Sequence, residues 1–166
     1  MTGPGAAQQR QKPGLAGVVA TLCGAGYSPV APGTAGSAVA AAAYLLAAGG
    51  LGTAGWVALL SVSFAVGVHT AQVTARRRLE HDPGVVVIDE GVGYLVTVAF
   101  LPHGLGTAVA GFLVFRALDI VKPPPARWCE GAPGGWGIVL DDVVAGIYGN
   151  LLLWAGWRGL AWLQAG

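Results

Sequence analysis

Residues 34–78 read TAGSAVAAAAYLLAAGGLGTAGWVALLSVSFAVGVHTAQVTARRR, and this stretch decides the fold. From Ala35 to Val73 it holds no Asp, Glu, Lys or Arg. The run breaks at Gly49-Gly50-Leu51-Gly52, where clustered glycines favour a turn, and this predicts one helix over Thr34–Ala48 and a second over Thr53–Val73. The second rises about 32 Å, enough to cross a bilayer core of about 30 Å. The first is shorter and spans only if Gly33–Gly36 enter the interface. Arg76-Arg77-Arg78 closes the second segment, and the positive-inside tendency places that end in the cytoplasm.

The rest of the chain has the same texture. A third apolar segment is predicted over 85–101, a fourth over Leu105–Leu118 and a fifth over Ile138–Leu163, where Trp residues and Arg158 suit a membrane interface. Of 166 residues, 54% are apolar and only 10% charged, against about 25% charged in an ordinary soluble domain. The mean hydropathy is +0.63. The expected fold is therefore an all-α integral membrane bundle of five short hydrophobic segments. The third and fourth are short enough for a tilted or re-entrant hairpin. A polar tail, residues 1–13, precedes one membrane-embedded domain over 14–166. Most of the 28 glycines fall inside apolar runs, where they let membrane helices approach closely. A net charge of +1 argues against nucleic acid as a partner and leaves membrane lipids. A homo-oligomer is compatible with the sequence. Cys23 and Cys129 lack metal-ligand spacing and read as small buried or interfacial residues.

The chain has eight acidic residues, and five of them, Asp89, Glu90, Asp119, Asp141 and Asp142, lie at or inside the ends of apolar segments. An ionisable group inside a membrane helix is costly and normally has a partner or a task. Singly, each could complement a helix N-terminus. Together they repel, and a divalent cation with a preference for hard oxygen ligands, such as Mg²⁺, resolves the repulsion. Arg116 and Lys122 lie close by in sequence and suit phosphate. Arg116 also stands three residues before Asp119, a spacing that allows a simple ion pair. The stretch 28–37, SPVAPGTAGS, sets the Thr34 and Ser37 hydroxyls at a helix start, where free N–H groups can bind an anion. Asp142, Ala145, Gly146 and Gly149 form a smooth stripe suited to close packing. His81 falls in the loop before Asp89, where it could bind phosphate or metal but reads better as a solvated loop residue, and Asp82 beside it is expected in solvent. If Arg76–Arg78 face the cytoplasm, all these motifs collect on that side.

Four stretches carry a resemblance: SPVAPGTAGS (28–37), HDPGVVVIDE (81–90), FRALDIVKPPP (115–125) and GGWGIVLDDVVAG (134–146). In this order, over 22–148, the sequence resembles the phosphatidylglycerophosphatase A family. The resemblance implies a Mg²⁺-dependent membrane phosphatase that converts phosphatidylglycerophosphate to phosphatidylglycerol in phospholipid biosynthesis. It implies a place in the bacterial inner membrane with the site facing the cytoplasm. It also implies that Asp89, Glu90, Asp119, Asp141 and Asp142 are the metal ligands, with Asp89, Glu90, Asp119 and Asp142 in the catalytic role. Thr34, Arg116 and Lys122 would stand on the phosphate side, beside Ser37. The chain departs at Trp136, where a smaller or thioether residue is usual, and at Gly91, where bulkier ones are common.

Other phosphatase chemistries lack their signatures: no Cys-x5-Arg loop, no Asp-x-Asp-x-Thr after a strand, no Walker loop. Two further classes fit an acid-bearing membrane protein. A small divalent-cation transporter would spread its acids through the membrane depth. A non-catalytic membrane subunit would pair its acids with another chain and bind no metal by itself.

Overall fold

The computed structural model describes residues 14–165, so the polar tail expected over 1–13 lies outside the described residues. Seven helices follow in order: α1 (Leu15–Ala20), α2 (Pro32–Ala47), α3 (Thr53–Arg78), α4 (Ile88–Val98), α5 (Leu105–Val121), α6 (Ala126–Cys129) and α7 (Gly135–Ala165). A 3₁₀ turn at Ala25–Tyr27 links α1 to α2. No strand occurs among the described residues. The five anticipated segments are α2, α3, α4, α5 and α7. The sequence reading did not anticipate α1 or α6, which have six and four residues.

Local chemistry sets the helix limits. Pro32 occupies the first turn of α2, where its missing N–H costs nothing, and the alanine run behind it propagates the helix. After Ala48 the chain turns through Gly50 at φ +91, a conformation that side chains rarely adopt. α3 runs five residues beyond the expected Val73. Thr74 and Ala75 are buried there, and Arg76–Arg78 favour the negative end of the helix dipole.

α4 is the pivot of the bundle. Its 11 residues rise only about 17 Å, too little to cross a bilayer. It has no need to, because α2, α3, α5 and α7 surround it. Val92, Tyr94, Thr97 and Val98 are fully enclosed. The carbonyls at its C-terminal end are satisfied by Asn150 of α7, whose amide donates to Thr97 O at 3.0 Å and Ala99 O at 2.8 Å. The third segment is thus a short helix buried in the core of the bundle.

α3 and α7 are long and apolar enough to cross a membrane. Only 22% and 39% of their most apolar windows are buried, whereas the core helix of a soluble protein would hide most of its apolar surface. Two hydroxyls of α3 bond within the helix, as lipid favours: Ser61 donates to Val57 O at 2.8 Å and Thr70 to Val66 O at 2.8 Å. The second half of α7 exposes Leu151, Leu152, Trp154, Leu160 and Trp162 to its surroundings. The protein is an all-α membrane bundle.

The α4–α7 contact depends on the glycines of the stripe. A Cβ on Gly146 would strike the Gly93 carbonyl oxygen and stand 3.0 Å from Val96 Cβ, and one on Gly149 would stand 2.9 Å from Thr97 Cγ2. Gly146→Val should therefore destabilise the bundle by on the order of 3 kcal/mol. Gly156→Val, where a Cβ meets nothing within 4 Å, should change little. Thermal unfolding in detergent compares the two, and equal midpoints would contradict this packing.

The two cysteines are free; Cys129 is half-buried, but Cys23, in a left-handed turn (φ 56) after α1, is exposed. His103 contacts Tyr44 O at 3.1 Å near the C-terminal end of α2, and a Cβ on Gly49 would lie 3.3 Å from its ring. Gly49 and His103 thus mark one end of the bundle. The acids mark the other.

Candidate active site

At that other end lies a cavity of about 450 Å³, lined by Pro32–Gly33, the loop around His81–Gly84, the first turn of α4, the end of α5 and the first turns of α7. Asp82, Asp89, Glu90, Asp119, Glu130, Asp141 and Asp142 line it, which leaves Glu80 as the one acid of the chain outside. The negative charge of the sequence is thus concentrated in a single place.

Three of these acids converge. One oxygen from each of Asp89, Glu90 and Asp142 lies within 4.8 Å of the other two. Asp89 Oδ1, Glu90 Oε2 and Asp142 Oδ2 are buried without a hydrogen-bond partner. Carboxylates that converge this closely, each with an orphaned oxygen, are costly unless a cation sits among them. An all-carboxylate donor set suits a hard divalent ion of the Mg²⁺ type. None of the three caps a helix. Val87 is the N-cap of α4 and receives no side-chain bond, while Asp142 lies two turns inside α7.

Asp119 and Asp141 differ from the trio in that each holds a cation. Arg116 donates to Asp119 Oδ2 at 2.5 Å and lies 4.0 Å from Glu90 Oε1. Lys122 bonds to Asp141, leaving Asp141 Oδ1 unpartnered, and to Glu130 Oε1 at 3.0 Å. Burial opposes the charge on Lys122, but the bonds to Asp141 and Glu130 outweigh it and hold its pKa above the ordinary lysine value. Its backbone is left-handed at φ 45, so the chain turns sharply at this residue. Lys122 lines the cavity, whereas Arg116 lies behind Glu90 and is not part of the wall.

The glycine-rich start of α2 contributes in a different way from the one expected. A Cβ on Gly33 would collide with Glu90 Oε1, and one on Gly36 would lie 2.7 Å from Val87 Cβ. The motif thus lets α2 approach the base of α4. Ser37 is fully buried and donates to Gly33 O at 2.9 Å, and Thr34 is absent from the cavity wall. His81 and Asp82 are exposed, as expected, but they stand on the cavity rim. Glu130 is the lining acid that the sequence reading passed over. It lies in a Pro/Gly-rich stretch where no periodicity ties it to Lys122. Trp136 packs edge-on to Phe64, with ring centres 5.5 Å apart, and a Cβ on Gly91 would meet Leu22 at 3.1 Å, so neither family departure enters the acid trio.

A helical bundle with an apolar exterior, carrying at one end an acid trio suited to a divalent ion beside a lysine, has the build of a membrane phosphatase. The family model described as phosphatidylglycerophosphatase A matches residues 18–157, and the chain belongs to that family. Among curated relatives, phosphatidylglycerophosphatase A of Escherichia coli (strain K12) is 37% identical over 126 residues, which covers 75% of this chain and 73% of the relative. The Haemophilus influenzae protein of the same name is 34% identical, covering 80% and 82%. A Bacteroides thetaiotaomicron protein named "Putative phosphatidylinositol-3-phosphatase" is 36% identical, covering 82% and 89%. No solved structure matches the chain.

Proposed function

We propose that the protein hydrolyses the terminal phosphomonoester of phosphatidylglycerophosphate, releasing phosphatidylglycerol and inorganic phosphate. Asp89, Glu90 and Asp142 would hold Mg²⁺, and the site would face the cytoplasm from the bacterial inner membrane. The observation that carries this reading is the trio of unpartnered buried carboxylate oxygens at the end of an apolar bundle. Mg²⁺ bound there supplies charge neutralisation and polarisation of the phosphoryl oxygens. Lys122, on the wall, can turn from Asp141 and Glu130 towards phosphate. Arg116 keeps Glu90 and Asp119 in place from behind. The cytoplasmic orientation rests on Arg76–Arg78, which end α3 just before the cavity loop. The gathering of acids at one end, rather than through the bundle's depth, favours an enzyme over an ion transporter.

The Bacteroides relative is named for a different head group, so the test includes both substrates. Purified protein in mixed micelles with Mg²⁺ should release phosphate from phosphatidylglycerophosphate with kcat/KM about tenfold or more above that for phosphatidylinositol 3-phosphate. Phosphatidylglycerol, which has only a diester, should yield none. Faster turnover of the inositol lipid would reassign the head group. Absence of phosphate release from either would overturn the reading.

A further inference from the structure

The reaction needs a proton for its leaving group, and the residues holding metal or phosphate cannot supply it. Cleavage of a phosphomonoester leaves its electron pair on an alcohol oxygen, which must be protonated as it departs. The trio Asp89, Glu90 and Asp142 serves as ligands only when deprotonated. Lys122 is bound to two carboxylates and holds its proton tightly. Asp119 is bound to Arg116. Of the lining residues that remain, Asp82, Glu130 and Asp141 are carboxylates, and His81 is the one side chain whose type gives up a proton near neutral pH.

Its position fits that task. The unpartnered oxygens of the trio are buried, whereas His81 is exposed at the mouth of the same cavity. A terminal phosphate held at the trio would direct the rest of the lipid towards the cavity mouth, which His81 lines. The loop that carries His81 is tied down on both flanks. Glu80 N donates to Ala75 O at 3.2 Å, Val86 N to Pro83 O at 2.8 Å and Val87 N to Ala20 O at 2.9 Å. Asp82, next in sequence, and Glu130 line the same cavity.

We propose that His81 is the general acid of the reaction, an assignment that rests on the phosphatase reading above. Water attacks phosphorus, the bond from phosphorus to the ester oxygen breaks, and that oxygen takes its proton from the His81 imidazolium. One proton of the attacking water stays with inorganic phosphate, and the other returns through solvent to His81. Atoms and charge then balance over the cycle.

His81→Gln and His81→Ala in the full-length protein, assayed on phosphatidylglycerophosphate with saturating Mg²⁺, test the assignment. The expected result is a fall in kcat on the order of 100-fold or more, with KM little changed. The fall of wild-type kcat at high pH should disappear from the residual activity of His81→Gln. Imidazole added to His81→Ala should restore turnover, since the rim is open to solvent. With an active wild type, kcat within about threefold of it in His81→Gln would overturn the role of His81 alone. So would a loss confined to KM, or a loss that leaves the pH profile unchanged and that imidazole does not relieve. A wild type that releases no phosphate would overturn the phosphatase reading and this assignment with it.

Discussion

Asp89→Asn and Asp142→Asn should each lower kcat by on the order of 10³-fold, the several kcal/mol that metal-assisted stabilisation supplies. Asparagine keeps the shape of aspartate and removes its charge. It is also among the best N-cap residues, so a capping role would survive the change. Asp142 lies in the interior of α7 and α4 has no side-chain cap, so no such role stands in the way. Stability should move in the opposite direction. Each substitution removes one of three crowded negative charges, so the metal-free variants should unfold at a higher temperature than metal-free wild type. Glu80→Gln, at the acid outside the cavity, should leave both quantities near wild type. Asp82 is no neutral control because it stands on the rim. Near-normal turnover in both Asn variants, with folding confirmed, would show that these acids are structural.

Chelation should have an effect of similar size. In excess EDTA, phosphate release should fall to background and return when Mg²⁺ is added. Without the ion, the orphaned carboxylate oxygens repel phosphate. A ligand that binds only the folded state stabilises it by about 2.7 kcal/mol at a hundred times its dissociation constant, so Mg²⁺ should also raise the unfolding temperature. The Asp142→Asn variant should lose most of that shift. Undiminished activity in excess EDTA would contradict a metal-assisted reaction.

Much of the fold was legible because lipid imposes simple rules. A charge-free run broken by glycines must become helices, and α2, α3 and α5 begin within two residues of their expected starts. The fate of α4 was harder to see. Its 11 residues look like a short span, and only tertiary packing shows that four other helices enclose it. In the site, the five acids were conspicuous because charge is scarce in this chain. The Arg116–Asp119 pair was visible in its spacing, but the split between Asp141 and Asp142 was not, because the two are adjacent in sequence while only Asp142 turns towards Asp89 and Glu90. The small-residue stripe on α7 kept its expected meaning in the Gly93–Gly146 contact. The hydroxyls of Thr34 and Ser37 drew attention away from Gly33 and Gly36, whose lack of a side chain is what brings α2 against the site. Glu130 and the rim position of His81 depend on how two irregular stretches fold back over the cavity, which no periodicity encodes.

Direct metal binding tests the central claim. Mn²⁺, a spectroscopic stand-in for Mg²⁺, can be titrated into the purified full-length protein in detergent and followed by electron paramagnetic resonance. Wild type should show saturable binding that Mg²⁺ displaces, and both Asp89→Asn and Asp142→Asn should weaken it by about tenfold or more. Absence of saturable binding to wild type, or equal binding by wild type and both variants, would contradict a metal centre built from Asp89, Glu90 and Asp142.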